Sequence, residues 1–290
     1  MSRSGLLVVD KPGGLTSHDV VGRVRRLAGT RKVGHAGTLD PMATGVLVIG
    51  VGRATRLLGH LMLTEKAYDT TIRLGETTST DDAEGEPVAA ADASGLDEAA
   101  VREALAGFVG EIQQRPSAVS AIKVDGKRAY QRVRDGEAVE LPARPVTIHE
   151  LVVARVSHPG STLDVDLSVR CSSGTYIRAI ARDLGEVLGV GGHLTALRRT
   201  AVGPFTLADA RTLDQLAESF DVLGLDAAAR RGFASCDLTA DLADDVRVGR
   251  RLPLHLGAAG PVAVFAPTGE FLALYEQRGD LAHPVAVFVG

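Results

Sequence analysis

Apolar residues fall along this chain in runs of distinct kinds, and each kind predicts a different element. Short uninterrupted runs, GLLVV at 5–9 and VLVIG at 46–50, read as strands buried on both faces. Alternating runs read as strands with one face toward a core. Residues 66–75 place Tyr68, Thr70, Ile72 and Leu74 on one face and Asp69, Thr71 and Arg73 on the other. Residues 163–171 alternate Leu163, Val165, Leu167, Val169 and Cys171 with polar partners and are predicted to pair with 146–156. Helical spacing appears after the Lys11-Pro12-Gly13-Gly14 turn, where Thr16 or Ser17 can cap a helix. Val20, Val21, Val24, Leu27 and Ala28 form its apolar face, and Arg23, Arg25 and Arg26 point mostly to solvent. Further helices are predicted at 53–63, 97–107, 212–219 and 226–232. Another spans 175–188, opened by the Ser172-Ser173-Gly174 turn and buried along Ile177, Ile180, Ala181, Leu184 and Leu188. Residues 29–45 read as a Gly-rich loop with little that could build a core, and the acidic stretch 76–95 as an exposed loop.

Strands and helices are interspersed without strict βα alternation, so the predicted class is α+β, a mixed β-sheet with flanking helices. Residues 236–290 hold short β-like runs (PVAVFAP, EFLALYE, PVAVFVG) separated by Gly and Pro, which predicts a small β-rich domain after a larger one at 1–225. Within the larger domain, 115–144 is a basic insertion that Gly126, Gly136 and Pro142 break into a strand-like piece and a short helix, and it is expected to be mobile. A length of 290 residues suits one large domain plus a small one. No internal repeat or low-complexity tract interrupts the pattern.

Composition narrows the function classes. A hydrophobic fraction of 45%, a charged fraction of 23% and a mean hydropathy of +0.10 exclude a largely disordered chain. The first apolar run, Leu6 to Val9, ends at Asp10 and Lys11, too short for a membrane span or a secretory signal. Cys171 and Cys236 with no CxxC argue against a disulfide framework or thiolate zinc site, and the eight histidines show no HExxH or HxH spacing. No Walker loop is present, and no dinucleotide GxGxxG follows a strand. A cytoplasmic protein without metal or cofactor is expected.

The net charge of −4 argues at first against a nucleic-acid partner, but the average hides a localised pattern. Residues 1–73 carry +6 (11 basic, 5 acidic), 74–112 carry −9 (1 basic, 10 acidic) and 113–144 carry +3 (7 basic, 4 acidic). Of the 32 basic residues 27 are Arg, the side chain suited to forked phosphate contacts and to stacking on bases; codon bias of a GC-rich genome accounts for the same preference.

The stretch Gly34-His35-Ala36-Gly37-Thr38-Leu39-Asp40-Pro41-Met42-Ala43-Thr44-Gly45 holds one carboxylate in a glycine-bracketed loop, and Pro41 biases Asp40 toward extended geometry. Such a loop can hold an Asp rigidly in a cleft. On spacing alone it can equally be a surface turn in which Asp40 caps a backbone amide.

The twelve residues together, with KPGGLTSHDVVGRVRR before them and AYDTTIRLGETTSTDDAEGE, RPSAVSAIKVDGKRAYQRVRDG and CSSGTYIRAIARDLGEVLGVGGHLTALRRTAVGPF after them, resemble the TruB family in family order over residues 5–207. These are the bacterial enzymes that make pseudouridine at position 55 of the tRNA T loop. The C-terminal segment resembles, more weakly, the small PUA-like RNA-binding domains appended to them. The resemblance implies an isomerase acting on the tRNA T stem-loop after base flipping, with no cofactor, no metal and no obligate protein partner, as a monomer. Asp40 matches the family's catalytic aspartate and Arg178 the arginine that pairs with it, keeping it ionised and aimed. Tyr68 matches the tyrosine that stacks on the target base, a contact of about 1 to 3 kcal/mol, and its hydroxyl is a candidate for the proton shuffle at C5. Tyr176 matches a second pocket aromatic and Leu197 a pocket-wall leucine. His35 matches a histidine that fills the space left by the extruded base. Asp82 lies where the family carries an acidic residue near the cleft, with loop solvation as the alternative. Arg115, Lys123, Lys127, Arg128, Arg132 and Arg134 correspond to the insertion that grips RNA phosphates. Lys11 and the KPGG turn read as structural, with phosphate contact as the alternative.

Two rivals stand beside this reading. A guide-RNA-dependent relative is disfavoured because no long basic extension is evident. A protein that folds tRNA, with Asp40 incidental, needs the same binding and flipping. The net −3 of residues 236–290 is unusual for an RNA grip, so deleting that segment is expected to leave activity weaker but measurable.

Overall fold

The computed structural model describes residues 4–117, 123–124, 127–128 and 141–289. Its first strands are the continuous apolar runs, β1 (Gly5–Lys11) and β3 (Thr44–Val51), paired antiparallel and buried on both faces. Helix α1 (Ser17–Ala28) lies between them. Thr16 is its cap, accepting from Asp19 N–H while the Asp19 carboxylate accepts from Thr16 N–H, and Gly29 closes it at φ 62°. The Gly-rich loop is more structured than its composition predicts. It begins with β2 (Val33–His35) on β3, and Val33, Ala36, Leu39 and Ala43 are buried. Small residues let this loop tuck into the core.

The helix predicted at 53–63 is a 3-10 turn (Gly52–Arg56) followed by the short α2 (Leu58–Leu61). Strand β4 (Lys66–Leu74) alternates as expected. The predicted exposed acidic loop instead holds a hairpin, β5 (Glu76–Thr78) and β6 (Pro87–Ala90), whose connection buries Asp82. Next come α3 (Glu98–Ala106), capped by Asp97, and β7 (Gly110–Gln114). The two-residue strands β8 (Lys123–Val124) and β9 (Lys127–Arg128) pair antiparallel; residues 118–122, 125–126 and 129–140 of the expected strand-plus-helix insertion lie outside the described residues. Strands β10 (Arg144–Ser157) and β11 (Leu163–Cys171), helix α4 (Ile177–Val187) and strand β12 (Gly192–Val202) complete the central part. After β13 (Phe205–Thr206), α5 (Leu213–Glu218), β14 (Leu223–Gly224) and α6 (Leu225–Gly232), the chain forms β15 (Ala234–Asp237), α7 (Ala240–Arg247), β16 (Val262–Phe265), β17 (Phe271–Arg278) and β18 (Leu281–Val287).

The main sheet runs β14-β1-β3-β12-β4-β11-β10-β7, with β2 added on β3 and β13 on β12. Its neighbours are antiparallel except β3 and β12, which touch in parallel over Arg198↔Thr44 and Arg199↔Gly45. Leu7, Val9, Tyr68, Ile72, Val165 and Leu167 point to one face and share a core with α1, α3, α4 and α5. On the other face Leu6, Val8, Val46 and Val48 share a second core with Leu57, Leu61 and Ala228, with Ala263, Phe265, Phe271 and Leu274 of the β15-β16-β17-β18 sheet, and with Phe288 just after it. The C-terminal sheet is therefore packed onto the main one. No helix among the described residues is long and apolar enough to cross a membrane.

Candidate active site

The parallel contact between β3 and β12 is short, and the loop 36–43 emerges where the two strands meet. Several side chains fix that loop. Ser17 Oγ accepts from Leu39 N–H at 2.9 Å and donates to Leu39 C=O at 3.1 Å. Lys11 Nζ donates to the C=O groups of Pro12, Leu15 and Pro41, which satisfies all three of its N–H bonds. Burial still pulls its pKa down, to about 8. Arg199, 1% exposed, donates Nε to Val46 C=O at 2.7 Å, Nη1 to Thr38 C=O at 3.3 Å and Nη2 to Gly37 C=O at 3.2 Å. Two buried cations thus hold the loop through its carbonyls. Lys11 acts as the structural residue the sequence predicts.

Asp40 is presented at the tip of this frame. Arg178 of α4 meets it with two nitrogens, Nε 3.1 Å from Oδ2 and Nη2 donating to Oδ1 at 3.3 Å. The third nitrogen, Nη1, donates to Thr80 C=O at 2.9 Å and lies 3.4 Å from Asp82 Oδ2. The Arg178 and Asp82 side chains are 5% and 4% exposed, whereas Asp40 keeps 34%, so the open side of the trio is the Asp40 carboxylate. Asp81 at φ 60°, in the left-handed region that Asp tolerates, turns the chain so that Asp82 faces inward. Thr80 Oγ1 and Glu84 N–H both donate to Asp82 Oδ1. Loop solvation does not describe Asp82.

The electrostatic outcome differs from the sequence expectation. Arg178 and Lys11 do favour an ionised Asp40, but burial opposes them more strongly and Asp82 adds repulsion, so the carboxyl is held above its usual range.

Asp40, Tyr68, Tyr176, Arg178 and Leu197 line one cleft of about 340 Å³ together with Lys66 and Arg199, a volume within the roughly 300 to 1,000 Å³ of small-molecule sites. Tyr68 is buried, which holds its hydroxyl above the usual phenol range, with Arg199 pulling the other way; the phenol keeps its proton at neutral pH. A larger depression of about 650 Å³ lies over the polar sheet face. Two of its three carboxylates are committed across strands, Asp69 accepting from Ser168 and Asp166 from Thr71 and Arg155, and the third is Glu84. The smaller cleft holds the partly exposed carboxylate paired with a buried arginine and is the candidate site.

His35 ends β2 with its ring edge-to-face against His18 at 5.7 Å, and it is not among the residues lining the cleft. For Lys123, Lys127 and Arg128 the structure places the backbone in β8 and β9; their side chains, and the whole of Arg132 and Arg134, lie outside the described residues. No cluster of three or more His, Cys, Asp or Glu able to hold a metal occurs among the described residues. Sequence reasoning missed Arg199 and Lys66. Lys66 Nζ donates to Met62 and Thr64 C=O, and burial draws its pKa to about 8. The available signal was register: Arg199 sits opposite Tyr68, and Lys66 is two residues from Tyr68 on the same face of β4.

Comparison with known proteins finds matches along nearly the whole chain. The model for "TruB family pseudouridylate synthase (N terminal domain)" matches residues 25–177, that for "tRNA pseudouridylate synthase B C-terminal domain" matches 178–227, and that for "tRNA Pseudouridine synthase II, C terminal" matches 233–289. The chain is 60% identical to tRNA pseudouridine synthase B of Arthrobacter sp. (strain FB24), over 98% of this chain and 96% of that protein. It is 59% identical to tRNA pseudouridine synthase B of Thermobifida fusca (strain YX), over 99% of each. Among solved structures it is similar to a Cbf5-Nop10-Gar1 complex, at 26% identity and TM-score 0.76 over 98% of this chain and 85% of that one. An H/ACA RNP bound to a substrate RNA containing 2'-deoxyuridine shares the fold, at 23% identity and TM-score 0.74 over 99% of this chain and 85% of that one.

Proposed function

The chain belongs to the TruB family of pseudouridylate synthases, and on that premise we propose that it isomerises uridine 55 in the tRNA T loop to pseudouridine, with Asp40 as the nucleophile. In the reaction the C1'–N1 bond breaks, the uracil turns, C1'–C5 forms, the C5 proton leaves and N1 gains a proton; a bond that Asp40 forms to the base or to the ribose is broken again before release, which regenerates the carboxylate. The observation that carries the reading is the two-pronged Asp40–Arg178 pair in a cleft beside Tyr68. Arg178 offsets part of the burial that opposes an ionised Asp40 and fixes the direction of its lone pairs.

The other residues take roles that suit their positions. Tyr68 supplies a planar wall for the unstacked base and a protonated hydroxyl near C5. Tyr176 and Leu197 shape the pocket. Asp82 anchors Arg178 from behind rather than reacting, since it is buried on the side away from the opening. His35, outside the cleft lining, suits filling the space left by the extruded base rather than proton transfer. Lys123, Lys127, Arg128 and Arg132 contact T-arm phosphates. The protein works in the cytoplasm as a monomer, with a catalytic domain at 1–225 and an accessory RNA-binding domain at 236–290.

The test is tritium release from tRNA labelled at uridine C5, with a substrate carrying cytidine at position 55 as control. Wild type is expected to release label from the uridine substrate, and Asp40→Asn to bind the tRNA but release none. Equal turnover by the two proteins removes Asp40 from the mechanism. Binding without release by wild type leaves the tRNA-folding alternative.

A further inference from the structure

Helix α4 begins without a side-chain cap of its own. Its N-cap residue is Tyr176 and its third residue is Ala179, so the helix supplies neither the Ser, Thr or Asp acceptor nor the Glu or Gln partner of a capping box. A distant strand takes the capping-box partner's role of accepting from the N-cap N–H. Gln114, the last residue of β7, accepts from Tyr176 N–H through Oε1 at 2.8 Å and donates through Nε2 to Tyr176 C=O at 3.0 Å. It is 2% exposed, and both ends of its amide are used on one residue's backbone. The side chain cannot turn without breaking two buried hydrogen bonds.

We propose that Gln114 is a positioning residue for the reaction: by holding both backbone groups of the N-cap residue of α4 from β7 it sets where Tyr176 lines the cleft and how Arg178, two residues further on, meets Asp40. The proposal rests on the catalytic reading of Asp40 and Arg178 above.

A second grip runs beside the first. Arg182, one turn beyond Arg178, donates Nη2 to Arg115 C=O at 2.8 Å, and its Nη1 lies 3.5 Å from Asp81 Oδ2. Consecutive residues 114 and 115 therefore hold α4 on either side of Arg178. Arg182 also ties the same junction to the loop that supplies Thr80 C=O and Asp82. Loss of one grip leaves the helix attached but its start free to shift. A displacement of about 1 Å at a reacting group is enough for a roughly hundredfold loss of rate.

The groups facing Asp40 are Arg178 of α4, Asp82 of the β5–β6 connection, Lys11 of β1 and Tyr68 of β4. If the start of α4 drifts, the one that moves is Arg178, which favours the carboxylate. Asp40 then needs a higher pH to ionise, and the acid limb of the rate profile moves up.

The experiment compares wild type, Gln114→Leu, Gln114→Glu, Arg178→Lys and the Gln114→Leu/Arg178→Lys double variant. Single-turnover tritium release from C5-labelled tRNA is measured across pH, with tRNA affinity and thermal melting in parallel. Gln114→Leu is expected to lower the rate at saturating tRNA by about tenfold to a hundredfold, with far less change in affinity and an acid limb shifted upward as in Arg178→Lys. Gln114→Glu, which keeps the acceptor for Tyr176 N–H, is expected to recover part of the rate. The double variant is expected to lose less than the product of the single losses, because both act through Arg178. A lower melting temperature with the wild-type rate and acid limb makes Gln114 merely structural and overturns the proposal. If Gln114→Leu does not fold, Gln114→Met, which also lacks both hydrogen bonds, takes its place, and a wild-type rate and acid limb in it overturn the proposal equally. A wild type that releases no tritium overturns the Asp40 reading, and this proposal with it; an active wild type with silent Gln114 variants overturns this proposal alone.

Discussion

Arg178 divides its guanidinium between two carboxylates, and the division is unequal in consequence. Asp82 is enclosed and accepts from Thr80 and Glu84 of its own loop, so its carboxylate is already held by neighbours. Asp40 has Arg178 and an opening to the cleft, and the burial around it outweighs the arginine. Its folded pKa lies above the unfolded one, so the fold favours the protonated carboxyl. The stability this group contributes is full below the ordinary carboxyl range of about 4 and is lost as the pH rises through the folded value. Above the folded value the wild type holds a charge that the fold disfavours. Asp40→Asn, which resembles the protonated carboxyl and leaves Arg178 with Asp82 and Thr80, is therefore expected to melt at a higher temperature than wild type at pH 7. The gap should close as the pH is lowered toward about 4. Calorimetry across that range checks it, and a lower melting temperature for the amide at pH 7 means that pairing with Arg178 outweighs burial.

At the scale of elements, the site depends on how β3 and β12 meet. Gly45 stands opposite Arg199 at φ 97°, and a Cβ there would lie 2.2 Å from the Arg199 carbonyl oxygen. An alanine at 45 must both adopt the left-handed region and push β12 away. Gly45→Ala is expected to cost about 2 to 4 kcal/mol, and denaturant unfolding at constant m measures it. A change below about 0.5 kcal/mol, the level of an ordinary surface substitution, is incompatible with this packing. The same junction explains what was legible beforehand. The continuous runs of β1 and β3 and the strict alternation of β4 and β11 showed in sequence because each obeys one period throughout. Strand β12 did not, since register shifts between Leu194 and Ala196 and between Arg199 and Ala201 break its alternation, and its inward Arg199 looks like a surface residue until the loop carbonyls are in place. The catalytic candidates were readable as motifs. Their supports, Gln114, Arg199 and Ser17, were not, because each acts through backbone groups that only the tertiary structure brings near.

The whole molecule is held together by a core that both sheets share, which changes the expectation for the C-terminal segment. Leu6, Val8, Val46 and Val48 of the main sheet are covered by α6, α2 and the inner face of β16 and β17. Arg230 stacks on Phe265 at 3.9 Å and pairs with Asp237, Arg56 lies over the Phe288 ring at 4.8 Å, and Arg53 donates to Phe288 C=O. Removing 236–290 takes away the buried side chains Phe265, Phe271, Leu274 and Phe288 and uncovers their partners. At about 1.5 to 3 kcal/mol per large apolar side chain, the loss is on the order of 10 kcal/mol, comparable with the whole net stability of a typical domain, about 5 to 15 kcal/mol. Truncation is therefore expected to give an aggregating or unfolded chain rather than the weaker enzyme that charge alone suggests. Replacing surface residues of the segment separates the two effects. Arg251→Glu, at an exposed position, is expected to leave melting unchanged, so any loss of tRNA affinity in it reports RNA contact and not folding. A truncated protein with a wild-type melting profile would show instead that the main sheet closes its own core, and that the acidic segment is carried for its surface alone.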